Sequence, residues 1–198
     1  MTDASVIEIL AIGGSTRPNS SSEKALRIAA NAAAEQGAHV TMITSRDLML
    51  PIYDTETPDR DPKALALIDA VRNAHGIIIC SPGYHGGISG MMKNALDYIE
   101  DLSKEDPAYL HGRAVGCIAV AYGWQATVST LHQLRQVAHA LRGWPTPLGG
   151  SINASVTSFD ESGNASDAGA HEQLRTIGAQ VVEFARMRTA LPTTSLPS

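Results

Sequence analysis

Hydrophobic and polar positions along the chain alternate between strand-like runs and helical spacing. Val6-Ile7-Glu8-Ile9-Leu10-Ala11-Ile12 is β-branched and almost continuously apolar, as a strand covered on both faces should be. A helical stretch follows from about Ser22 to Gln36, with Gly37 as its stop. His39–Thr44 reads as a second strand. Ser45–Pro62 reads as a loop broken by Pro51, Pro58 and Pro62. A helix from about Pro62 to Asn73 leads into Gly76–Cys80, a short buried strand, and another helix ends near Leu102. Arg113–Ala121 is a fourth strand, and Thr127–Arg142 a helix with Leu131, Leu134, Ala138 and Leu141 at core spacing. A fifth strand, broken by Pro145 and Pro147, lies within Trp144–Asn153. A polar loop over Ser155–Gly169 precedes a helix from about Ala170 to Thr189, and Leu191–Ser198 reads as a frayed tail.

Strands alternating with helices five times predict a parallel sheet covered on both faces, a three-layer α/β domain over residues 1–190. Ligands of such sheets bind beyond the carboxyl ends of the strands. The loops after the first, third and fourth strands all contain glycine and all leave the same edge. They are expected to form one composite site.

The first loop, Gly13 to Ser22, offers the hydroxyls of Ser15, Thr16, Ser20, Ser21 and Ser22, one cation, Arg17, and the start of a helix. Outward-pointing amides, the helix dipole and one guanidinium suit a phosphate monoester. The alternative is a Ser-rich turn with Ser22 as the helix N-cap. The loop lacks the Gly-Lys-Ser/Thr ending of a Walker A motif, and it is not Gly-x-Gly-x-x-Gly. The second loop, from Ser81 to Gly90, holds Pro82, Gly83, Tyr84, His85, Gly86 and Gly87. Glycines there let backbone approach a flat heteroaromatic ring; a plain turn is the other reading. The third loop, Tyr122-Gly123-Trp124-Gln125, again places glycine beside aromatic residues.

Composition narrows the field. Fifteen basic against twenty acidic residues in 198 give a net charge of −5, which argues against a nucleic-acid binder. No apolar run approaches the roughly 18 residues of a membrane span. Met1–Ser5 has no basic start, so no secretion signal is expected, and the Asn-x-Ser triplets at Asn19, Asn153 and Asn164 are read as chance. Cys80 and Cys117 cannot make a disulfide framework, and a cytoplasmic location is the default. Both thiols are expected as small buried hydrophobes. His132 and His139, seven apart on one helix, lack a third partner at metal-ligand spacing, so no metal is expected. Asp160–Glu172 reads as a solvated acidic region.

Gly13-Gly14-Ser15-Thr16-Arg17-Pro18-Asn19-Ser20 resembles the Gly-Ser-x-Arg-x-x-Ser phosphate loop of the NAD(P)H-dependent FMN reductase family. Ser81-Pro82-Gly83-Tyr84-His85-Gly86, with Gly90 and Lys93-Asn94-Ala95-Leu96-Asp97, resembles that family's Ser-Pro-Glu-Tyr-Asn-Gly segment with its Gly and Lys-Asn-x-x-Asp continuation. The resemblance covers roughly residues 6–155. It implies a flavodoxin-like fold, with a five-stranded parallel sheet in the order 2-1-3-4-5. It implies FMN held by its phosphate at Ser15, Arg17, Ser20 and Ser22, with the ring against Pro82, Gly83, Tyr84, His85 and Gly86 and near Gly123 and Trp124. It also implies NADPH or NADH as co-substrate, and a homodimer or homotetramer with the Ser89–Leu102 helix, bearing Met91, Met92, Ala95 and Leu96, at the interface. Gly83 and His85 depart from the family's usual Glu and Asn, and Gly123-Trp124 from a common Gly-Gly.

The hard chemistry of such a protein belongs to the cofactor, so no catalytic acid or base is nominated. The expected activity is NAD(P)H-dependent flavin reduction. The second acceptor would be free flavin for a partner monooxygenase, or a quinone, azo, nitro or metal-oxyanion compound. Two other readings stay open: a flavodoxin-type electron carrier, against which Arg17 speaks, and a non-redox binder of phosphate ligands.

Overall fold

The structure, a computed structural model, describes residues 6–191. The readings made for Met1–Ser5 and for the tail beyond Leu191 lie outside the described residues. The elements run β1 (Glu8–Gly13), α1 (Ser21–Glu35), β2 (His39–Thr44), α2 (Pro62–Asn73), β3 (Gly76–Tyr84), β4 (Gly87–Ile88) and α3 (Gly90–Asp97). They continue with β5 (Ala114–Ala121), α4 (Trp124–Ala140), β6 (Trp144–Pro145), β7 (Gly150–Asn153) and α5 (Ala168–Ala190). Short 3₁₀ turns cover Ser45–Leu48 and Tyr98–Leu102.

Among the described residues the sheet has seven strands, with β2-β1-β3-β5-β6 as neighbours; β7 pairs farther along β5, and β4 pairs with β3. All these pairings are parallel except β3–β4. The expected order therefore holds with two differences. The fifth strand is split into β6 and β7: Trp144 and Thr146 donate to β5, but the next N–H on that side, Leu148, turns to Gln180 Oε1, and pairing resumes only at Gly150. The third strand runs on to Tyr84 and turns back as β4.

Alternation along each strand feeds two cores. Ile9 and Ala11 of β1, Ile78 and Cys80 of β3, and Ile118 and Val120 of β5 pack with α1 and α5. Leu10 and Ile12, Ile77 and Ile79, and Val115 and Cys117 pack with α2, α3 and α4. With both faces covered, β1 from Ile9 onward and β5 have to be apolar, and Ile9, Leu10, Ile12, Ile77, Ile78 and Ile79 are fully buried. Because these strands are parallel, the loops after β1, β3 and β5 emerge together at the carboxyl edge.

Candidate active site

The loop after β1 is built around buried hydroxyls. Ser15, Ser20 and Ser22 are all buried, whereas Arg17 is exposed and its guanidinium has no partner among the described residues. Ser20, not Ser22, is the N-cap of α1: its hydroxyl accepts from the Glu23 N–H at 3.3 Å. Ser22 lies one step inside the helix, with its Oγ 3.1 Å from Ser20 Oγ. Ser15 Oγ accepts from the Arg17 N–H at 3.2 Å, which tightens the turn. The Glu23 N–H is taken by the cap, so the first-turn amides of Ser21 and Ser22 keep free donors, as helix starts do. Three hydroxyls, two amides, a helix dipole and an unpaired guanidinium are the donor set a phosphate monoester takes up. The residues present fit FMN's phosphate.

Sequence reading missed the residue behind this loop. The Glu23 carboxylate, buried in the first turn of α1, accepts from the Asn19 N–H and from the Ser45 hydroxyl. The Ser20-x-x-Glu23 spacing of a capping box is the local signal that could have found it.

The second predicted loop is a hairpin. Gly83 pairs with Ile88 and Tyr84 with Gly87, leaving His85-Gly86 as a two-residue turn. Their φ angles, 51° and 82°, are those of a type I′ turn, whose twist suits a hairpin. Pro82 is buried in β3 opposite Val120, and Ser81 Oγ accepts from the Ser89 N–H at 3.0 Å, closing the base. Gly83 is dictated by packing: a Cβ there would lie 2.7 Å from Thr130 Oγ1 and 3.0 Å from Ala121 Cβ. That crowding accounts for the missing glutamate. Tyr84 and His85 project from the turn and are exposed.

The hairpin faces the start of α4. An open groove of about 420 Å³, lined by His85, Gly86, Gly123, Gln125, Ala126 and Ser129, runs between them. Helix α4 begins at Trp124, three residues earlier than predicted, because its N-cap is Gly123, which brings no capping side chain. A Cβ on Gly123 would meet nothing within 4 Å. Trp124 and Tyr122 are exposed beside the groove. Ser129 Oγ and Gln133 Nε2 both donate to the Gly86 carbonyl, at 2.9 and 3.1 Å; no sequence signal marks either residue. A smaller cavity, about 210 Å³, lies at the opposite end of the sheet between the start of β1 and α2.

The remaining candidates do not line the groove. Cys80 is buried, its thiol donates to the Ser22 carbonyl, and burial pushes its ionisation far up. Burial likewise pushes the Cys117 thiol up to about 12. His132 and His139 are exposed on α4. The family-like Asn94 serves as a mooring: its Oδ1 accepts from the Tyr53 N–H at 2.8 Å and its Nδ2 donates to the Pro51 carbonyl at 2.8 Å. The proposed interface helix is mostly core: Met92, Ala95 and Leu96 are buried within the protomer, leaving only Met91 of the four partly exposed.

Comparison with known proteins agrees with this geometry. The profile of the NADPH-dependent FMN reductase family matches residues 7–157. A Bacillus NADPH azoreductase is 35% identical over 86 residues, which span 43% of this chain and 45% of that protein. The NADPH-dependent FMN reductase ArsH of Shigella flexneri is 27% identical over 182 residues, 92% of this chain and 70% of the relative. Among solved structures, the flavoenzyme NAD(P)H:acceptor oxidoreductase FerB of Paracoccus denitrificans superposes with a TM-score of 0.75 at 17% identity, over 92% of this chain and 99% of that one. The flavodoxin-like WrbA-like protein of Agrobacterium tumefaciens gives 0.63 at 19%, over 93% and 99%. The chain belongs to the NADPH-dependent FMN reductase family, and so to the oxidoreductases that work with FMN and NAD(P)H. No helix among the described residues is long and apolar enough to cross a membrane.

Proposed function

We propose that the protein uses NADPH or NADH to reduce FMN held at the carboxyl edge of the sheet, and passes the electrons to a second small molecule. The observation that carries this reading is that the Ser15–Ser22 donor set and the groove between the β3–β4 turn and the start of α4 lie at the same carboxyl edge of the parallel strands. Ser15, Arg17, Ser20 and Ser22 hold the phosphate. Tyr84, His85, Gly86, Gly123 and Trp124 border the ring, with Pro82 and Gly83 supporting the turn from within β3. When bound, FMN supplies the redox chemistry, taking two electrons and a proton from the nicotinamide and giving them to the acceptor. The residues around it bind, orient and shield: the amides at the start of α4 favour negative charge at the ring edge, and the aromatic side chains offer flat surface beside an open groove.

The acceptor is a free flavin supplied to a partner monooxygenase, or a quinone, azo compound or metal oxyanion; the azoreductase and FMN reductase names of the relatives support the azo and flavin members of that range. Two buried, unpaired thiols suit a reducing cytoplasm. We further propose a homodimer or homotetramer, with exposed aromatic and apolar side chains near the groove as its contact.

The test is bound-flavin quantitation followed by steady-state oxidation of NADH and NADPH with FMN, quinone and azo acceptors. Turnover with bound flavin supports the reading. A yellow protein that never oxidises either nucleotide is an electron carrier instead, and a colourless one that rejects flavin is a binder of other phosphates. Light scattering at micromolar concentration reads the assembly.

A further inference from the structure

A single carboxylate oxygen ties together the loops after β1 and β2. Glu23 Oε2 accepts from the Asn19 N–H at 3.0 Å and from the Ser45 hydroxyl at 2.8 Å. Both partners sit in the left-handed backbone region without being glycine, Asn19 at φ 56° and Ser45 at φ 49°; asparagine tolerates that region, whereas serine persists there only where the surroundings over-determine it. The other oxygen, Oε1, accepts from Arg27 Nη2 at 2.7 Å. The Glu23 side chain is 8% exposed, whereas that of Arg27 is 45% exposed. Where Gly14 passes, a Cβ would rest 3.4 Å from Glu23 Cβ, so the loop lies directly on this side chain.

This arrangement has a specific geometric consequence. Asn19 immediately precedes Ser20, the N-cap, and fixing its backbone fixes the entry of the chain into α1. That entry sets where the hydroxyls of Ser20 and Ser22 and the free amides of the first turn point. A carboxylate behind a phosphate site is electrostatically adverse unless its charge is neutralised, and Arg27 supplies that neutralisation on the side away from the loop.

We infer that Glu23 is a positioning residue for the phosphate loop, shaping it through Asn19 and Ser45 without touching the ligand. The inference rests on reading that loop as the FMN phosphate site. It distinguishes hydrogen-bond acceptance from charge, because one oxygen serves both loop donors. Glu23→Gln keeps a carbonyl oxygen for Asn19 and Ser45 and gives up only the pairing with Arg27, which can turn to water. Glu23→Ala removes the acceptor altogether.

The experiment titrates flavin-free full-length protein with FMN and with riboflavin by fluorescence quenching, alongside melting curves. Glu23→Ala is expected to weaken FMN at least tenfold, with riboflavin within twofold of the parent. Glu23→Gln is expected to restore FMN binding to within threefold. If Glu23→Ala does not fold, Ser45→Ala carries the test, with FMN weakened about threefold and riboflavin unchanged. The inference is overturned if Glu23→Ala binds FMN within threefold of the parent, if riboflavin weakens in parallel, or if Glu23→Gln binds no better than Glu23→Ala. Arg17→Ala separates the two levels. If it loses FMN selectively while Glu23→Ala keeps it, the phosphate site stands and Glu23's role falls. If the parent itself binds riboflavin as tightly as FMN, both fall.

Discussion

Gln133 holds the hairpin turn from across the groove: its Nε2 donates to the Gly86 carbonyl at 3.1 Å, and its Oε1 accepts from the Ile88 N–H at 3.2 Å. One side-chain amide thus closes on backbone groups two residues apart, as a neighbouring strand would. The turn that borders the groove is therefore set by α4 as well as by its own residues. Each such bond contributes about 0.5–1.5 kcal/mol. Gln133→Ala is expected to destabilise the protein by about 1–3 kcal/mol in denaturant unfolding. It should weaken FMN and riboflavin by equal factors, since the turn borders the ring and not the phosphate. A loss confined to FMN would show that Gln133 acts on the phosphate loop instead.

Arg17 gives the complementary pattern. Its side chain is exposed and unpartnered among the described residues, so its removal costs the free protein little. A charge-assisted hydrogen bond to phosphate is worth about 1.5–3 kcal/mol. Arg17→Ala should weaken FMN about 10- to 150-fold, leave riboflavin unchanged and leave the melting temperature where it was. Equal losses for both flavins would move Arg17 from the phosphate to the ring or to the fold.

Gly123 and Gly86 differ as probes of the groove. Gly86 has φ 82°, so Gly86→Val strains the turn by about 1–3 kcal/mol with or without a ligand. Gly123 has an extended backbone, φ 166°, and open space around its Cβ position. Gly123→Ala should therefore melt like the parent or slightly higher, because alanine narrows the unfolded ensemble. If the flavin ring or the acceptor passes over Gly123, the same substitution weakens flavin binding or raises the acceptor's KM. An unchanged titration and unchanged kinetics would show that neither comes within a methyl's reach of Gly123.

These contrasts also show which parts of the molecule could be read from the chain. The apolar runs at Val6–Ile12 and Gly76–Cys80 dictate buried parallel strands, and the edge of the sheet that carries the site follows from them. The end of β3 did not follow. Pro82 argues against a central strand, yet β1 stops opposite Cys80. From Ser81 onward β3 has a parallel neighbour only in β5, so the missing N–H of Pro82 is tolerated at what is locally an edge. Likewise the start of α4 was hidden because Gly123 gives no capping signal. The clamps at Glu23 and Gln133 depend on partners brought close by the fold, 22 and 45 residues away in the chain. Sequence spacing encodes neither distance.

The loop between β2 and α2 supplies a test that titrates. Arg60 donates to both oxygens of Asp101 at 2.8 Å, Tyr53 Oη donates to Oδ1 at 3.1 Å, and a third Arg60 nitrogen donates to the carbonyls of Asp54 and Thr57. The guanidinium also lies over the Tyr53 ring, 4.7 Å from its centre. Asp101 thus anchors a proline-rich segment that has little secondary structure of its own. The hydrogen bonds from Arg60, ahead of the opposing effect of burial, hold its carboxyl below the ordinary carboxylate range. A carboxyl whose folded pKa is depressed contributes stability that is complete above its unfolded value, near 3.8, and that fades as pH falls through the lower folded value. Asp101→Asn should therefore melt below the parent by a constant margin from neutral pH down to about pH 5. The margin should shrink at more acid pH, where the parent also becomes protonated. Flavin titrations of this variant at neutral pH should match the parent, because neither Asp101 nor Arg60 lines the groove or the phosphate loop. A melting margin that stays constant below pH 3.8 would show that the anchor works through shape and neutral hydrogen bonds and not through the ion pair. A selective loss of FMN binding would show that the segment it anchors reaches the phosphate.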